Sequence, residues 1–159
     1  DFPIMPLSPN SILFRAVMIS GHGQAAAGAK NHQGTKASCV AVVDPDPTVR
    51  DGLDALLGDL ASEICHYDSA EEFLRARAEH IPDCLITEVW LPGISGVELL
   101  EQLNDAGHHV PTILLARDGD VAMAVRGIRA GAAEYIEKPW VDSRLRQSIR
   151  SILARHEIH

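Results

Sequence analysis

Short apolar runs that alternate with helical patterns constrain the fold of this chain more than any other feature. Three of the runs are almost continuously apolar: Cys39–Val43, Cys84–Thr87 and Thr112–Ala116. Ile64–Tyr67 and Glu134–Glu137 are two further strand candidates. Such short runs favour strands over helices, and near-continuous apolar character is typical of strands that are buried on both faces.

Helical patterns with recognisable starts separate and follow these runs. Asp46 is the predicted N-cap of a helix that begins at Pro47, and capping boxes begin at Ser69 and Ser95. Apolar residues then recur at helical spacing: Val49, Leu53, Leu56, Leu57 and Leu60; Val97, Leu100 and Leu103; Val121, Val125 and Ile128; Val141, Leu145, Ile149, Ile152 and Leu153. Strand and helix alternate five times, which predicts an α/β fold with a doubly wound, five-stranded parallel sheet and helices on both faces.

Charge and composition exclude several classes of partner. The formal net charge is −8, which argues against binding to nucleic acid and to anionic membranes, because both partners need basic surfaces. No apolar run is long enough to span a bilayer. Cys39, Cys65 and Cys84 are an odd number without metal-type spacing, so we predict buried, reduced thiols and a cytoplasmic location.

The first part of the chain differs from the rest, and we divide the chain at this point. Residues 1–38 are predicted to be an N-terminal extension, and Gly21–Ser38 within it a flexible linker. The apolar segment Ile12–Ile19 precedes the linker, and a functional alternative is that this segment docks on the surface of a partner. The chain begins with Asp1 and not with Met, so Met5 and Met18 are candidate native starts, and two alternatives stay open: the extension is native, or some of it was added for expression. Residues 39–159 form the predicted domain.

Polar residues stand where the buried runs end. Asp44 follows the first run, Glu88 follows the third strand candidate, Ala116 ends the fourth, and Lys138 follows the fifth. Ligands of doubly wound sheets bind outside the carboxyl ends of the strands. We therefore expect two carboxylates and one ammonium to converge at one edge of the sheet.

Several motifs occur in the order and spacing of a known family over residues 39–155. They are Val42-Val43-Asp44, Pro82-Asp83-Cys84-Leu85-Ile86, Leu91-Pro92-Gly93-Ile94-Ser95-Gly96, Gly119-Asp120-Val121-Ala122-Met123-Ala124-Val125-Arg126 and Glu137-Lys138-Pro139. The stretch resembles a response-regulator receiver domain of the CheY-like fold, and most closely its FixJ-like branch. The resemblance implies the strand order 2-1-3-4-5 and a role in two-component signalling.

The resemblance also implies a phosphorylation site, which this chain matches only in part. Receivers transfer a phosphoryl group from a kinase phosphohistidine to an aspartate, with a divalent cation held by an acidic pair. Asp44 matches the first acid of that pair, but Pro45 replaces the second. Glu88 stands in place of the nucleophilic aspartate and Ala116 in place of the hydroxyl residue, whereas Lys138 matches the family's lysine.

These departures predict a degenerate site. Mg²⁺ requires several oxygen ligands, so we expect no cofactor, or Mg²⁺ held weakly at best by Asp44, Glu88 and the backbone carbonyl at Trp90. Asp46 is not expected to replace the carboxylate missing at Pro45. Tyr135 matches the family's switch aromatic, and is either uncoupled from the site or an ordinary strand aromatic.

The residues that remain suggest a fixed state. We predict that Glu88 pairs with Lys138, and that the chain is an atypical single-domain receiver that acts by phosphorylation-independent protein contacts and is not an enzyme. The expected partner is a histidine kinase or another signalling protein. Three alternatives stay open: a phosphoacceptor that uses Glu88 and a weak metal site, a small-ligand binder, and the receiver part of a longer DNA-binding regulator.

Mixed charges on the last two helices and the last strand form a second candidate site. In the family, the face made by the fourth helix, fifth strand and fifth helix is a common dimer surface, so a homodimer is expected there; the alternative is a solvated surface. The charged residues are Arg126, Arg129, Glu134, Glu137, Arg146 and Arg150. The eight histidines show no metal-binding spacing, which argues against a metal site.

Overall fold

The computed structural model describes residues 38–76, 80–117 and 120–158, with the side chains of the last element described up to residue 155. The strands are β1 (Cys39–Val43), β2 (Glu63–Tyr67), β3 (Cys84–Glu88), β4 (Thr112–Ala116) and β5 (Glu134–Glu137). The helices are α1 (Pro47–Leu57), α2 (Ala70–Ala76), α3 (Gly96–Asp105), α4 (Val121–Arg129) and α5 (Asp142–Ile158). The predicted linker and docking segment lie outside the described residues.

The five strands form one parallel sheet in the order β2-β1-β3-β4-β5, which confirms the predicted fold class and strand order. On one face, Leu53 of α1 and Leu145 of α5 share a core cluster with alternate strand residues. On the other face, Phe73 of α2 and Leu99 of α3 pack against the remaining strand residues. Met123 of α4 packs against a smaller cluster that includes Leu114 and Ala116 of β4. Every residue of β1, β3 and β4 is buried, as expected for strands covered on both sides.

The predicted helix starts agree well with the observed caps. The Asp46 carboxylate accepts a hydrogen bond from the Thr48 amide at 2.9 Å. The Ser95 capping box is complete, with the Glu98 amide donating to Ser95 Oγ at 3.0 Å and the Ser95 amide donating to Glu98 at 2.8 Å. At Ser69 the hydroxyl accepts from the Glu72 amide, but the Glu72 carboxylate accepts from the Asp68 amide instead of the Ser69 amide.

The apolar pattern of α4 predicted the helix correctly but does not mark its buried side. Val121, Val125 and Ile128 are 79%, 44% and 52% exposed. The helix contacts the sheet through Gly127 instead, where an added Cβ would lie 2.4 Å from Leu114 Cδ1. Because α4 approaches the sheet at a residue without a side chain, its apolar stripe is left on the surface.

Smaller differences concern the ends of two other helices. α1 ends at Leu57, so Leu60 packs against the core from the turn that follows. Val141 precedes α5 and is exposed. Cys39, Cys65 and Cys84 are all buried, and no disulfide joins them in the part of the chain that the structure describes. None of the described helices combines the length and the apolar character needed to cross a membrane.

Candidate functional site

The carboxyl edge of the sheet brings Asp44, Glu88 and Lys138 together. Asp44 directly follows β1, Glu88 is the last residue of β3, and Lys138 directly follows β5. The Lys138 amide donates to the Ala116 carbonyl at 2.7 Å, which fixes the start of its loop at the end of β4. The lysine side chain reaches the carboxylates at the ends of β1 and β3, which lie beyond β4 in the sheet.

The ammonium of Lys138 bridges the two carboxylates. Lys138 Nζ lies 2.8 Å from Asp44 Oδ2 and 2.5 Å from Glu88 Oε1. Asp44 and Glu88 are only 2% and 3% exposed, so both charges depend on this partner. Burial alone would lower the pKa of Lys138, but the hydrogen bonds to Asp44 and Glu88 outweigh it and raise that pKa above its ordinary value.

Backbone amides hold the other oxygen of each carboxylate. The Asp46 amide donates to Asp44 Oδ1 at 2.9 Å, and the Trp90 amide donates to Glu88 Oε2 at 2.8 Å. All four carboxylate oxygens of the pair therefore accept a hydrogen bond. The cluster carries two negative charges and one positive charge, and its groups are oriented by the loops that follow β1 and β3.

This donor set does not suit Mg²⁺, the cation that the resemblance implies. Mg²⁺ requires near-octahedral oxygen coordination, but Lys138 occupies the space between the two carboxylates. Pro45 supplies no carboxylate and is exposed, and the Asp46 carboxylate caps α1. The Lys138 ammonium offsets one of the two negative charges of the acidic pair at the place where a metal ion would otherwise do so.

The phosphoacceptor position is buried and fully hydrogen-bonded. Glu88 accepts a hydrogen bond on one oxygen from the Trp90 amide and on the other from Lys138. Ala116, at the position of the family's hydroxyl residue, is fully buried and has no hydroxyl. The three charged groups are thus held together by hydrogen bonds within the domain.

Tyr135 of β5 lies beside Ala116 in a small apolar cluster with Val89 and Val97. Its hydroxyl is buried and forms no hydrogen bond of good geometry among the described residues, although the backbone of Asp120 lies close to it. Burial raises the pKa of Tyr135, and the nearby charges of Asp120, Glu137 and Glu88 act in the same direction, whereas the Asp120 backbone opposes them. No contact in the described structure links this hydroxyl to the charged cluster.

Several charged residues of the predicted interaction face are paired within the chain. Arg126 of α4 donates two hydrogen bonds to Glu101 of α3, at 2.9 and 2.7 Å. Arg144 reaches Glu134 of β5 at 3.4 Å.

The remaining arginines of that face point in different directions. Arg146 turns toward α1, where it donates to the Leu56 carbonyl and to both oxygens of Asp59. The hydrogen bonds from Arg146 lower the pKa of Asp59, and Arg150 adds to the effect. Arg129 and Glu137 are exposed. Arg146 and Arg150 therefore both lie near Asp59, just after the end of α1.

Two residues near the site were not singled out from the sequence. Arg50 Nε donates to the Asp44 carbonyl at 3.0 Å, and its guanidinium also pairs with Asp68. Gly96 begins α3 directly against β3, and a Cβ there would lie 2.3 Å from the Glu88 carbonyl oxygen. Gly96 could have been found from the sequence as the first residue of α3, since it follows the N-cap Ser95. The contact of Arg50 with Asp44 depends on the fold and has no sequence signal.

The site and sheet together define a class: a doubly wound α/β domain with an acid–lysine cluster at the carboxyl edge. The family model described as "Response regulator receiver domain" matches residues 40–150. This chain belongs to the response regulator receiver domain family, which confirms the predicted family and its place in two-component signalling.

Individual relatives agree with this assignment. The chain is 39% identical over 116 residues to the transcriptional regulatory protein FixJ of Azorhizobium caulinodans, covering 73% of this chain and 55% of that protein. It is 32% identical over 122 residues to the response regulator protein TodT of Pseudomonas putida, covering 77% of this chain and 54% of that protein. The chain thus spans about half the length of the curated relatives it matches.

Solved structures show the same fold. A crystal structure of a response regulator receiver protein from Pseudoalteromonas atlantica superposes with a TM-score of 0.69 at 35% sequence identity. The match covers 74% of this chain and 98% of that structure. Receiver domains of this kind therefore share the sheet that positions Asp44, Glu88 and Lys138 here.

Proposed function

We propose that this chain is an atypical receiver that signals by protein contacts, without phosphorylation of Glu88 and without a bound Mg²⁺. The observation that carries the proposal is the bridge from Lys138 Nζ to Asp44 and Glu88. It joins the acidic residue after β1, the phosphoacceptor position and the lysine in one closed cluster. On this proposal the chain is not an enzyme, and self-phosphorylation from a kinase phosphohistidine does not occur.

The chemistry of the site supports a fixed state over a switching one. Positioning and charge neutralisation provide nearly all of phosphoryl-transfer catalysis, and three of the parts that supply them are altered here. The second metal carboxylate is replaced by Pro45, the hydroxyl by Ala116, and the aspartate by the longer Glu88. A carboxylate misplaced by about 1 Å can lose about a hundredfold in rate. Glu88 instead supplies a permanent negative charge next to Lys138.

The proposal is tested by exposure to a small acyl-phosphate donor with Mg²⁺, followed by intact mass measurement. We expect no added phosphoryl group. Trp90 is half exposed and its amide donates to Glu88, so its fluorescence is expected to stay flat during a Mg²⁺ titration. A labile adduct that disappears in Glu88→Ala would establish the working phosphoacceptor and overturn the proposal.

A restored variant provides the matched positive control. Pro45→Asp, Glu88→Asp and Ala116→Thr together return the carboxylate, the shorter nucleophile and the hydroxyl that the family uses. We expect the triple variant to gain one phosphoryl group under conditions in which the natural chain gains none. A molecule that copurifies with the natural chain and binds at the cluster would favour the small-ligand alternative.

We propose a histidine kinase or another signalling protein as the partner, and a homodimer through α4, β5 and α5. The exposed apolar side chains of α4 support the dimer, because they are available for contact with a second copy. The charges of Arg126 and Glu134 are less available, since both residues are already paired within the chain. Substitution of Glu88 by Ala is expected to change kinase binding or the oligomeric state. Unchanged binding and assembly in that variant would show that Glu88 does not fix the signalling state.

The remaining alternative is a receiver that belongs to a longer DNA-binding regulator. It is supported by relatives described as transcriptional regulatory proteins, of which the chain spans about half. Sequencing of the gene upstream and downstream of the stretch that encodes this chain distinguishes a receiver that stands alone from the receiver part of a longer regulator. On our proposal, the described domain itself binds no nucleic acid, in keeping with the net charge of −8.

A further inference from the structure

A second cluster of polar side chains lies at the opposite edge of the sheet from Lys138. Cys39, Glu63 and His80 each place one potential ligand atom so that all three lie within 4.8 Å of one another. Cys39 is buried, and the other two are half-buried. A thiol, a carboxylate and an imidazole form a mixed set of sulfur, oxygen and nitrogen donors.

The fold accounts for this arrangement from three separate stretches of sequence. Cys39 and Glu63 are the first residues of β1 and β2, and they are direct partners in the parallel register, so their side chains lie on the same face. Two hydrogen bonds tie the segment before β3 to the same point. The Asp83 amide donates to the Cys39 carbonyl at 2.9 Å, and the Cys39 amide donates to the Asp83 carboxylate at 2.8 Å.

His80 provides an independent sign of a ligand. Its Nε2 atom is buried, and nothing in the described part of the chain forms a hydrogen bond with it. Buried polar atoms are nearly always satisfied, so an unpaired nitrogen on an imidazole that lies beside a thiol and a carboxylate requires an explanation. A metal ion bound to the imidazole would satisfy this atom.

We propose that Cys39 Sγ, a Glu63 carboxylate oxygen and the His80 imidazole form a binding site for a borderline transition-metal ion of the Zn²⁺ class. Zn²⁺ binds thiolate at about 2.3 Å, and imidazole and carboxylate at about 2.0–2.2 Å, in a tetrahedral arrangement. Atoms that share such an ion lie within about 4 Å of one another, so small side-chain rotations complete the observed cluster. The fourth position is left for water.

The chemistry of the donors separates this site from the Asp44–Glu88–Lys138 cluster. Thiolate and imidazole favour Zn²⁺, Co²⁺ and similar ions over the hard cation Mg²⁺. The Cys39 thiol loses its proton to solvent when the ion binds, so binding releases a proton. The bound ion would join the starts of β1 and β2 to the segment before β3.

The test is titration of the full chain, in its reduced form, with Co²⁺ in the presence of excess Mg²⁺. We expect one equivalent to bind and to give the near-ultraviolet charge-transfer absorption of a thiolate–Co²⁺ bond, and Zn²⁺ to displace it. Cys39→Ser is expected to abolish that absorption. His80→Ala and Glu63→Gln are each expected to weaken binding about tenfold or more.

Matched variants keep the result interpretable. Burial raises the pKa of the Cys84 thiol to about 12, and Cys84 lies on the other face of the sheet, so Cys84→Ala is expected to keep full binding. His66→Ala, which alters a half-buried histidine paired with Asp54, is expected to keep it as well. His80 lies outside the helices and strands, so its variant remains informative if Cys39→Ser unfolds.

Three results would overturn the site. The natural chain could bind no Co²⁺, it could bind Co²⁺ without a thiolate band as in a histidine-only site, or His80→Ala and Cys39→Ser could bind as the natural chain does. Because the readout is the thiolate–Co²⁺ absorption, which excess Mg²⁺ and the absence of a phosphodonor do not affect, its failure is distinct from failure of the proposed function.

Discussion

Lys138 is the residue on which the charged site depends. Its ammonium is the shared partner of two carboxylates that are 2% and 3% exposed. Loss of one partner of a buried ion pair costs about 3–5 kcal/mol, because the remaining charge is left without compensation. We therefore expect Lys138→Met to lower the free energy of unfolding by about 3 kcal/mol, as measured by chemical denaturation at neutral pH.

A double variant separates charge from packing. Glu88→Gln removes one of the two carboxylates that Lys138→Met leaves unpaired, so the two changes together should cost less than the sum of the single changes. If the double variant lost as much stability as the sum of the single variants, the bridge between Glu88 and Lys138 would contribute nothing measurable to the free energy of unfolding.

The same ion pair predicts how stability depends on pH. The pKa of Lys138 is raised in the folded state by its bonds to Asp44 and Glu88, whereas an unfolded lysine titrates near its ordinary value of about 10.4. The stabilisation is therefore complete below about pH 10.4 and is lost as pH rises through the folded pKa, since the folded state then holds the extra proton. The difference in stability between the natural chain and Lys138→Met should shrink over that alkaline range, and a constant difference would contradict this account.

At the scale of the elements, the contact between α3 and β3 places a strict limit on one residue. An added Cβ at Gly96 would lie 2.3 Å from the Glu88 carbonyl oxygen, which is backbone and cannot move aside alone. We expect Gly96→Ala to destabilise the fold by about 2 kcal/mol, as overpacking does. Thermal or chemical unfolding measures the loss.

Gly52 of α1 provides the control for this substitution. A Cβ there would meet Trp140 at 3.6 Å, an ordinary contact. Gly52→Ala should therefore stabilise the chain by up to about 1 kcal/mol through helix propensity. If both alanines had the same effect, the close approach at Gly96 would not be the cause.

Helix starts were the most predictable local features, because caps and capping boxes act through neighbouring residues. Asp46 and Ser95 are examples in which a short polar side chain predicted the first turn correctly. The orientation of α4 was not predictable in this way. Its apolar stripe suggested a buried side, but the close packing of Gly127 against Leu114 depends on residues that are distant in the sequence.

At the scale of the whole molecule, the convergence of strand ends could be predicted from the buried runs, whereas the order of the strands followed from the family resemblance. Asp44, Glu88 and Lys138 follow buried strands, and parallel strands bring such positions to one edge. The cluster of Cys39, Glu63 and His80 could not be predicted, since its members have no recognisable spacing and meet only through register and a loop. The direction of Arg146 toward Asp59 likewise depends on how α5 packs beside α1.

Assembly is the last property that the surface predicts. Val121, Val125 and Ile128 form an exposed apolar stripe on α4, while Arg126 beside them is already paired with Glu101. Burial of this stripe would stabilise a dimer by the hydrophobic effect, at about 25 cal/mol per Å² of apolar area.

Like charges placed on the stripe should therefore dissociate the proposed dimer. We expect Val125→Lys with Ile128→Lys to weaken self-association at least about tenfold in sedimentation equilibrium, because two like charges three residues apart on one helix repel each other and would be buried without a partner. Ala55→Lys places a new charge on exposed α1, across the sheet, and should leave association unchanged. A natural chain that stays monomeric at every concentration, or a charged variant that associates equally well, would show that α4 is not the dimer surface.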